Sequence, residues 1–323
     1  MRPILSSNIR TWSRLGQIGT FYGVALLELG SEYKNLRLLT ADLAVPSGMT
    51  RFQSAYPEQF LNVGIAEQNM IGIAAGLALE GNCVFTNSYA AFIAVRSLEH
   101  VRQHLAHLRC NVKVVGFSAG VMSARSGIAH WATEDIAFMR ALPNITVFSP
   151  SDCLDAYKIA HYAAETEGPM YIRLSGGPNA PIVHKEDYNF EAGKMERLQK
   201  GSDVCIFATG LMVKEALDAA GMLQEKGIAC TVYNVHTIKP LDLEALEQSR
   251  QSHRLLVSLE EHNIIGGLGG AVAEYLSSRN GSPRLIRMGI PDAYSAAGSQ
   301  RWIWEQNGID SAGVARKIEE ELI

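Results

Sequence analysis

The chain has 323 residues, a length that suggests two domains rather than one core. Hydrophobic residues make up 47% and charged residues 19%, which is typical of a globular protein and excludes a disordered chain. The formal net charge of -4 at pH 7 and the lack of a bilayer-length apolar run predict neither nucleic acid nor a membrane as a partner.

The first half of the chain alternates short apolar runs with longer helical patterns. The predicted strands are 36–39, 60–63, 84–86, 112–116, 145–148 and 171–174, and the predicted helices among them are 67–79, 98–108 and 152–165. Apolar strands separated by helices indicate a mainly parallel sheet that is covered on both faces. Such sheets bind ligands beyond the carboxyl ends of their strands.

Residues 175–195 are rich in glycine, proline and polar side chains, and this composition predicts a linker. A second α/β pattern follows, with predicted strands at 204–208, 229–234, 255–259 and 285–288 and predicted helices at 213–225 and 270–278. We therefore predict an α/β fold with two domains, 12–187 and 188–323, each a mainly parallel sheet flanked by helices.

Segment 60–81 carries the most informative pattern in the chain. A strand ends near Val63, a glycine-containing turn follows, and a helix rich in glycine and alanine begins near Glu67. Glu67 is therefore expected at the carboxyl edge of the sheet, on the first turn of a closely packed helix. The helix dipole alone favours an acidic residue there, so the position by itself does not indicate a function.

The string around Glu67, V-G-I-A-E-Q-N-M, closely resembles the pyrimidine-binding domain of the transketolase family. Further segments resemble the same family in the same order, namely 40–43, 88–92, 111–116, 134–137, 143–144, 237–242 and 260–262. The resemblance covers nearly the whole chain. It implies a thiamine-diphosphate-binding pyrimidine domain followed by a transketolase C-terminal domain.

The resemblance implies thiamine diphosphate as the cofactor and Glu67 as its activator, because a buried carboxyl group in this family hydrogen-bonds the pyrimidine N1′. It also implies that Phe92 packs on the pyrimidine ring, with Tyr89 expected on the same helical face. The alternative for both aromatic residues is a place in the hydrophobic core. Asp42, followed by Leu43, matches an acid near the thiazolium ring, and its alternative is a cap where a strand ends.

His130 matches the family position that hydrogen-bonds the ketol oxygens of the substrate, although a lone histidine is more often structural. Around it the chain departs from the family. Ser126 replaces an aspartate that contacts a sugar hydroxyl, while Ser118 and Gly176 replace basic residues that usually bind a terminal phosphate. Losing those charges weakens phosphate binding. Arg125 is the predicted substitute ligand, and its alternative is a solvated loop residue.

The family binds the diphosphate through a Gly-Asp-Gly motif, a later asparagine and a divalent cation, and no Gly-Asp-Gly occurs in this sequence. Hard cations need a set of oxygen ligands. We therefore predict no metal ligands in this chain and expect Mg²⁺ or Ca²⁺ to be held by a partner, an N-terminal-half transketolase subunit. Two copies of each chain are expected to form an α2β2 heterotetramer.

The predicted function is that of a transketolase subunit, active only with its partner, which moves a two-carbon ketol unit from a ketose to an aldehyde. The alternatives are a 1-deoxyxylulose-5-phosphate synthase-like subunit, a 2-oxo-acid dehydrogenase β-type subunit, or a non-catalytic partner subunit. The identity and phosphorylation of the sugars stay open. Five scattered cysteines without a C-x-x-C pair, and an N-terminus without a secretory signal, predict a cytoplasmic protein.

Overall fold

Two α/β domains follow one another in the computed structural model, which describes residues 4–322. Each domain is built on its own sheet, and each sheet has an apolar core on both faces. This architecture confirms the predicted fold class. Within residues 4–322, every helix is too short or too polar to cross a bilayer.

The first sheet contains seven strands, six of them from the first half of the chain. They are β1 (Leu36–Thr40), β2 (Phe60–Asn62), β3 (Cys83–Tyr89), β4 (Val112–Phe117), β5 (Thr146–Phe148), β6 (Met170–Leu174) and β10 (Thr237–Lys239), in the spatial order β10-β5-β6-β4-β3-β1-β2. The strands from β5 to β2 are all parallel. Successive side chains alternate between the two faces, so Leu38 and Leu39 enter different cores. The six strands predicted for this half are confirmed.

Helices cover both faces of this sheet. They are α1 (Ser6–Thr20), α2 (Leu26–Glu32), α3 (Thr50–Ala55), α4 (Glu67–Leu79), α5 (Ala90–Val95), α6 (Leu98–His100), α7 (Asp135–Ala141) and α8 (Cys153–Glu165). A π-helical segment, Phe21–Ala25, joins α1 to α2, and a second, Val101–His107, extends α6 over most of the predicted helix 98–108. Neither α1 nor α2 was among the predicted elements. The left-handed backbone at Gly16, with φ of 77°, kinks α1 and breaks the periodic pattern.

The second sheet has the order β12-β11-β8-β9-β7. Its strands are β7 (Glu196–Gln199), β8 (Val204–Ala208), β9 (Cys230–Asn234), β11 (Leu255–Asn263) and β12 (Arg284–Ile290), and its helices are α9 (Met212–Gln224), α10 (Leu243–Ser252), α11 (Leu268–Ser277), α12 (Gln300–Gln306) and α13 (Ser311–Leu322). Only the edge strand β7 is antiparallel to its neighbour in this sheet. The four predicted strands and two predicted helices are confirmed.

Strand β10 comes from the second half of the sequence but pairs with the first sheet. It runs antiparallel to β5, with Thr237 opposite Phe148. Ser149 donates its backbone N–H to the carbonyl of His236 at 2.9 Å. Lys239 donates from Nζ to the carbonyl of Arg140 at 3.0 Å. The two domains therefore share a strand, and the boundary between 187 and 188 remains a prediction.

The predicted linker, 175–195, has neither helix nor strand and is anchored at its middle by His184. The Nδ1 atom of His184 lies 3.0 Å from Oδ2 of Asp152, and its Nε2 atom lies 2.6 Å from Oε2 of Glu196. Burial lowers the pKa of His184, but Asp155, Asp152 and Glu196 outweigh burial and raise it to about 11. His184 is therefore a buried cation that ties the linker to one carboxylate in each domain.

Candidate active site

Glu67 lies where the chain turns from β2 into α4, at the carboxyl edge of the first sheet. The turn passes through Gly64 with φ of 75°, and Glu67 is the first residue of α4 with 2% of its surface exposed. Its Oε1 accepts a hydrogen bond from Ser88 Oγ at 3.0 Å, and its Oε2 accepts one from Arg96 Nη1 at 2.7 Å. The carboxylate is therefore held by the end of β3 and by the residue after α5, and not by the amide groups of its own helix turn.

Three aromatic side chains and one histidine stand together at this edge. Tyr89 is the last residue of β3 and Phe92 lies one turn into α5, with their ring centroids 5.6 Å apart. The Tyr89 ring also lies 4.6 Å from Phe117, the last residue of β4. Tyr89 therefore faces Phe92 from a strand end and not from the same helix. Together they form a wall of flat apolar surface.

His130 closes this wall from a separate loop. Its ring centroid is 5.4 Å from that of Tyr89 and 5.5 Å from that of Phe92. The loop returns on itself through paired backbone hydrogen bonds between Gly120 and Ala132, at 3.0 Å and 2.9 Å. The Nδ1 atom of His130 is buried and has no hydrogen-bond partner among residues 4–322. A buried, unpaired ring nitrogen suits a ligand that brings its own donor or acceptor.

The other predicted substrate residues lie on or before the same loop. Arg125 and Ser126 are exposed in a short 3₁₀ turn, Ala124–Ser126. Ser118 is buried and follows β4 directly, with a left-handed φ of 52°. Among the described residues, no hydrogen bond or ion pair joins Arg125 to Glu67 or to His130. Only the shared loop brings Arg125 and Ser126 near His130.

Asp42 and Leu43 follow β1 at the same edge of the sheet. Asp42 is exposed with φ of 62°, and its Oδ1 accepts a hydrogen bond from Asn62 Nδ2 at 3.0 Å. In return Asn62 Oδ1 accepts the backbone N–H of Asp42 at 3.0 Å. Leu43 is partly buried and packs against the core of the first domain. Asp42 is thus fixed by the end of β2 and caps no helix in the described structure.

The second domain supports the loop that carries His130. Glu261, in β11, accepts hydrogen bonds on Oε1 from two side chains of α12, at 2.8 Å and 2.7 Å. A Cβ atom on Gly120 would lie 2.2 Å from the other carboxyl oxygen of Glu261. Arg173 donates from Nη2 to the carbonyls of Ala132, at 3.2 Å, and Glu261, at 2.8 Å. Gly120 therefore packs against Glu261, and Ala132 accepts a hydrogen bond from Arg173. Both residues that close the loop are held at the domain interface.

Three residues at this site were missed by the sequence analysis: Ser88, Arg96 and Asn62. Ser88 lies within a segment that carried the family resemblance, but its contact with Glu67 requires the register of β3. Arg96 follows Phe92 by four positions, a spacing that places two side chains on one helical face. That spacing in the sequence could have pointed to Arg96 as a neighbour of Phe92, whereas nothing in the sequence pointed to Asn62.

A flat heteroaromatic ring fits these residues. They offer a buried carboxyl oxygen for a ring nitrogen, an aromatic wall for a ring face and the unpaired Nδ1 of His130. Residues 4–322 contain no comparable set of side chains for a diphosphate and its metal ion. The one group of side chains there with metal-ligand spacing is Asp152, Asp155 and His184, and its atoms already bond to one another and to neighbouring groups.

Comparisons with known proteins match both domains. Residues 17–177 match the family described as the transketolase pyrimidine binding domain, and residues 193–314 match the transketolase C-terminal domain. A protein of Methanocaldococcus jannaschii described as a transketolase C-terminal section is 40% identical over 302 residues, covering 93% of this chain and 95% of that one.

One further relative is described as a transketolase subunit and another as a split gene transketolase. A 6-deoxy-6-sulfo-D-fructose transketolase subunit of a Clostridium species is 38% identical and covers 91% of each chain. A solved structure described as a split gene transketolase, inactive beta4 tetramer, is 39% identical with a TM-score of 0.85, covering 95% of this chain and 97% of that one.

Proposed function

This chain belongs to the transketolase family, and from that premise we propose that it supplies the pyrimidine-binding half of a thiamine-diphosphate site, with Glu67 as the activating carboxyl group. The chain is a transketolase subunit, and its reaction class is the transfer of a two-carbon ketol unit from a ketose to an aldehyde. The observation that carries the proposal is the buried Glu67 carboxylate, which is linked through Arg96 to Phe92, the ring that packs with Tyr89 and His130.

Thiamine diphosphate, when bound, supplies the carbanion chemistry that carries the ketol unit. The residues of this chain would orient the pyrimidine ring and hold one proton at the carboxyl group of Glu67. Ser88 fixes Oε1 of Glu67 by donating a hydrogen bond at 3.0 Å, so Oε2, which Arg96 contacts in this structure, would be the oxygen that shares a proton with the pyrimidine N1′. Phe92 and Tyr89 would pack against the ring and exclude water, which would strengthen that hydrogen bond. His130, packed against Tyr89 and Phe92, would hydrogen-bond the ketol oxygens of the substrate.

We propose that a partner subunit supplies the diphosphate and metal ligands, with Mg²⁺ or Ca²⁺ as the ion. The lack of a Gly-Asp-Gly motif in this chain supports the partner, as does the relative described as an inactive tetramer of beta chains. The proposed assembly is an α2β2 heterotetramer in which each site is completed by an N-terminal-half subunit.

The substrate site differs from that of a phosphate-binding transketolase. Ser118, Ser126 and Gly176 place small neutral groups where the family resemblance leads one to expect charged ones. The exposed guanidinium of Arg125 lies on the same loop as His130. We propose that Arg125 contacts the distal end of the sugar. One relative at 38% identity is named for a sulfonated ketose and another at 38% identity for a phosphorylated sugar, so the proposed Arg125 contact is to a distal anion of either kind.

Replacing Glu67 by glutamine tests the proposal. The amide keeps the shape of the side chain but has no ionisable proton to share, so kcat of the assembled enzyme should fall about 10³-fold. Ketol transfer is measured with the chain co-purified with its N-terminal-half partner. The exposed Glu99 serves as the matched control, and Glu99→Gln should retain full turnover. Near-normal turnover of Glu67→Gln would refute the assignment.

A further inference from the structure

The side chain of Arg96 contacts both Glu67 and Phe92. Its Nη1 atom lies 2.7 Å from Oε2 of Glu67, and its guanidinium carbon lies 4.5 Å from the centroid of the Phe92 ring. The backbone of Arg96 is fixed, because Gln68 donates from Nε2 to its carbonyl at 3.1 Å. The side chain is 47% exposed, so its charged head reaches solvent by rotation of side-chain bonds alone.

These contacts compete with the role proposed for Glu67. An ion pair requires the carboxyl group charged, whereas a hydrogen bond donated to the pyrimidine N1′ requires its proton. Ser88 already occupies Oε1, and Arg96 binds Oε2, the oxygen left for the ring nitrogen. The same guanidinium also rests on Phe92, the side chain proposed to pack against the ring. One carboxylate oxygen cannot serve both partners in these two protonation states.

We propose that Arg96 is a latch on the cofactor site: it holds Glu67 as a charged ion pair and must swing into solvent before thiamine diphosphate binds. The proposal rests on the proposed function of Glu67. Arg96 is thereby a positioning residue that acts through Glu67 and takes no part in ketol transfer. Glu67 is buried, but the 47% exposure of Arg96 lets solvent screen the guanidinium and receive it when the pair opens.

The latch sets the apparent affinity for the cofactor. When only a fraction of molecules is open, the apparent Kd equals the intrinsic Kd divided by that fraction. An ion pair with one half-exposed partner, together with a cation–π contact, leaves about one molecule in five open. Removing the latch should therefore lower the apparent Kd for thiamine diphosphate about fivefold.

The test compares Arg96→Gln with the parent chain, each co-purified with the N-terminal-half partner. Calorimetric titration with thiamine diphosphate in the presence of Mg²⁺ should give an apparent Kd about fivefold lower for the variant. The concentration of cofactor that gives half-maximal activity should fall in parallel. Arg102→Gln is the matched control, because Arg102 is 55% exposed and pairs with the exposed Glu99. It should not change the apparent Kd.

A second measurement follows the ion pair itself. Without cofactor, Arg96→Gln and Glu67→Gln should each lower Tm by about 2 °C, and the double variant should lower it no further than one of them.

The outcomes separate the two proposals. If the parent complex fails to bind thiamine diphosphate, the proposed function is wrong. If the parent binds and Arg96→Gln binds equally or more weakly, the latch is overturned while the function stands. Additive Tm losses in the double variant would also overturn the latch, because they mean that Arg96 and Glu67 do not depend on each other.

Discussion

At the scale of single residues, the site is defined by side chains whose polar atoms have specific partners or have none. Glu67 is buried with each oxygen held by a different element. His130 is wedged between two aromatic rings with Nδ1 buried and unpaired among residues 4–322. A buried unpaired nitrogen costs free energy in a protein that has no ligand for it. We therefore expect His130 to act on the substrate.

Replacing His130 by alanine tests that role. Loss of one hydrogen bond to the ketol oxygens should lower kcat/KM for the ketose about 10- to 100-fold. The affinity for thiamine diphosphate should change by less than about threefold, because the ring packing of Phe92 and Tyr89 remains. Steady-state kinetics and cofactor titration on the assembled enzyme measure both quantities. His107→Gln, at an exposed position, is the control. A parallel loss of cofactor affinity would show that His130 only supports the aromatic wall.

At the scale of elements, the loop between β4 and α7, which carries His130, is held against the second domain. Its two ends meet at Gly120 and Ala132, and Gly120 lies against the carboxyl group of Glu261. Gly120 has φ of +65°, a conformation that other residues adopt at a cost. The close approach and the backbone angle both require glycine here. The second domain thus helps to place the loop that carries His130.

Gly120→Ala tests this support, and Gly127→Ala in the same loop is its matched control. Gly127 has φ of 80° and ψ of 179°, a backbone region that costs other residues about 1–3 kcal/mol, and nothing lies within 4 Å of an added Cβ. Gly120→Ala has a backbone cost of that order and, in addition, about 1–3 kcal/mol of overpacking against Glu261. Urea unfolding should show the larger loss for Gly120→Ala, with a lower kcat/KM for the ketose. Equal losses of unfolding free energy in the two variants would mean that the side chain of Glu261 moves aside at little cost.

At the scale of the whole molecule, the two domains are joined by a shared strand and by a buried cation. Strand β10 completes the first sheet, and His184 pairs with carboxylates from both domains. The groups around His184 are Asp152, Asp155, Tyr188, Glu196 and His236. Because these carboxylates outweigh burial, the positive charge of His184 is part of the folded structure.

His184→Gln should lower the free energy of unfolding by about 3 kcal/mol near pH 6, because it leaves buried carboxylates without their cation. The pKa of His184 in the folded protein is about 11, above its ordinary value of 6.5. Charged His184 therefore stabilises the folded protein fully below pH 6.5, and this stabilisation declines as the pH rises towards 11. Urea unfolding between pH 6 and 9.5 should show the gap between parent and variant narrowing with pH. A constant gap would show that His184 is neutral when folded.

The sequence by itself determined the two α/β domains, the strands of both parallel sheets and the position of Glu67 at a strand-to-helix turn. Those features follow from local periodicity and turn chemistry, which are written in consecutive residues. Only the tertiary structure decided that Ser88 and Arg96 hold the carboxylate of Glu67, that β10 joins the other domain's sheet and that Glu261 supports the His130 loop. Each of these contacts joins residues that are far apart in the chain, and strand register and domain packing, which no local pattern encodes, bring them together.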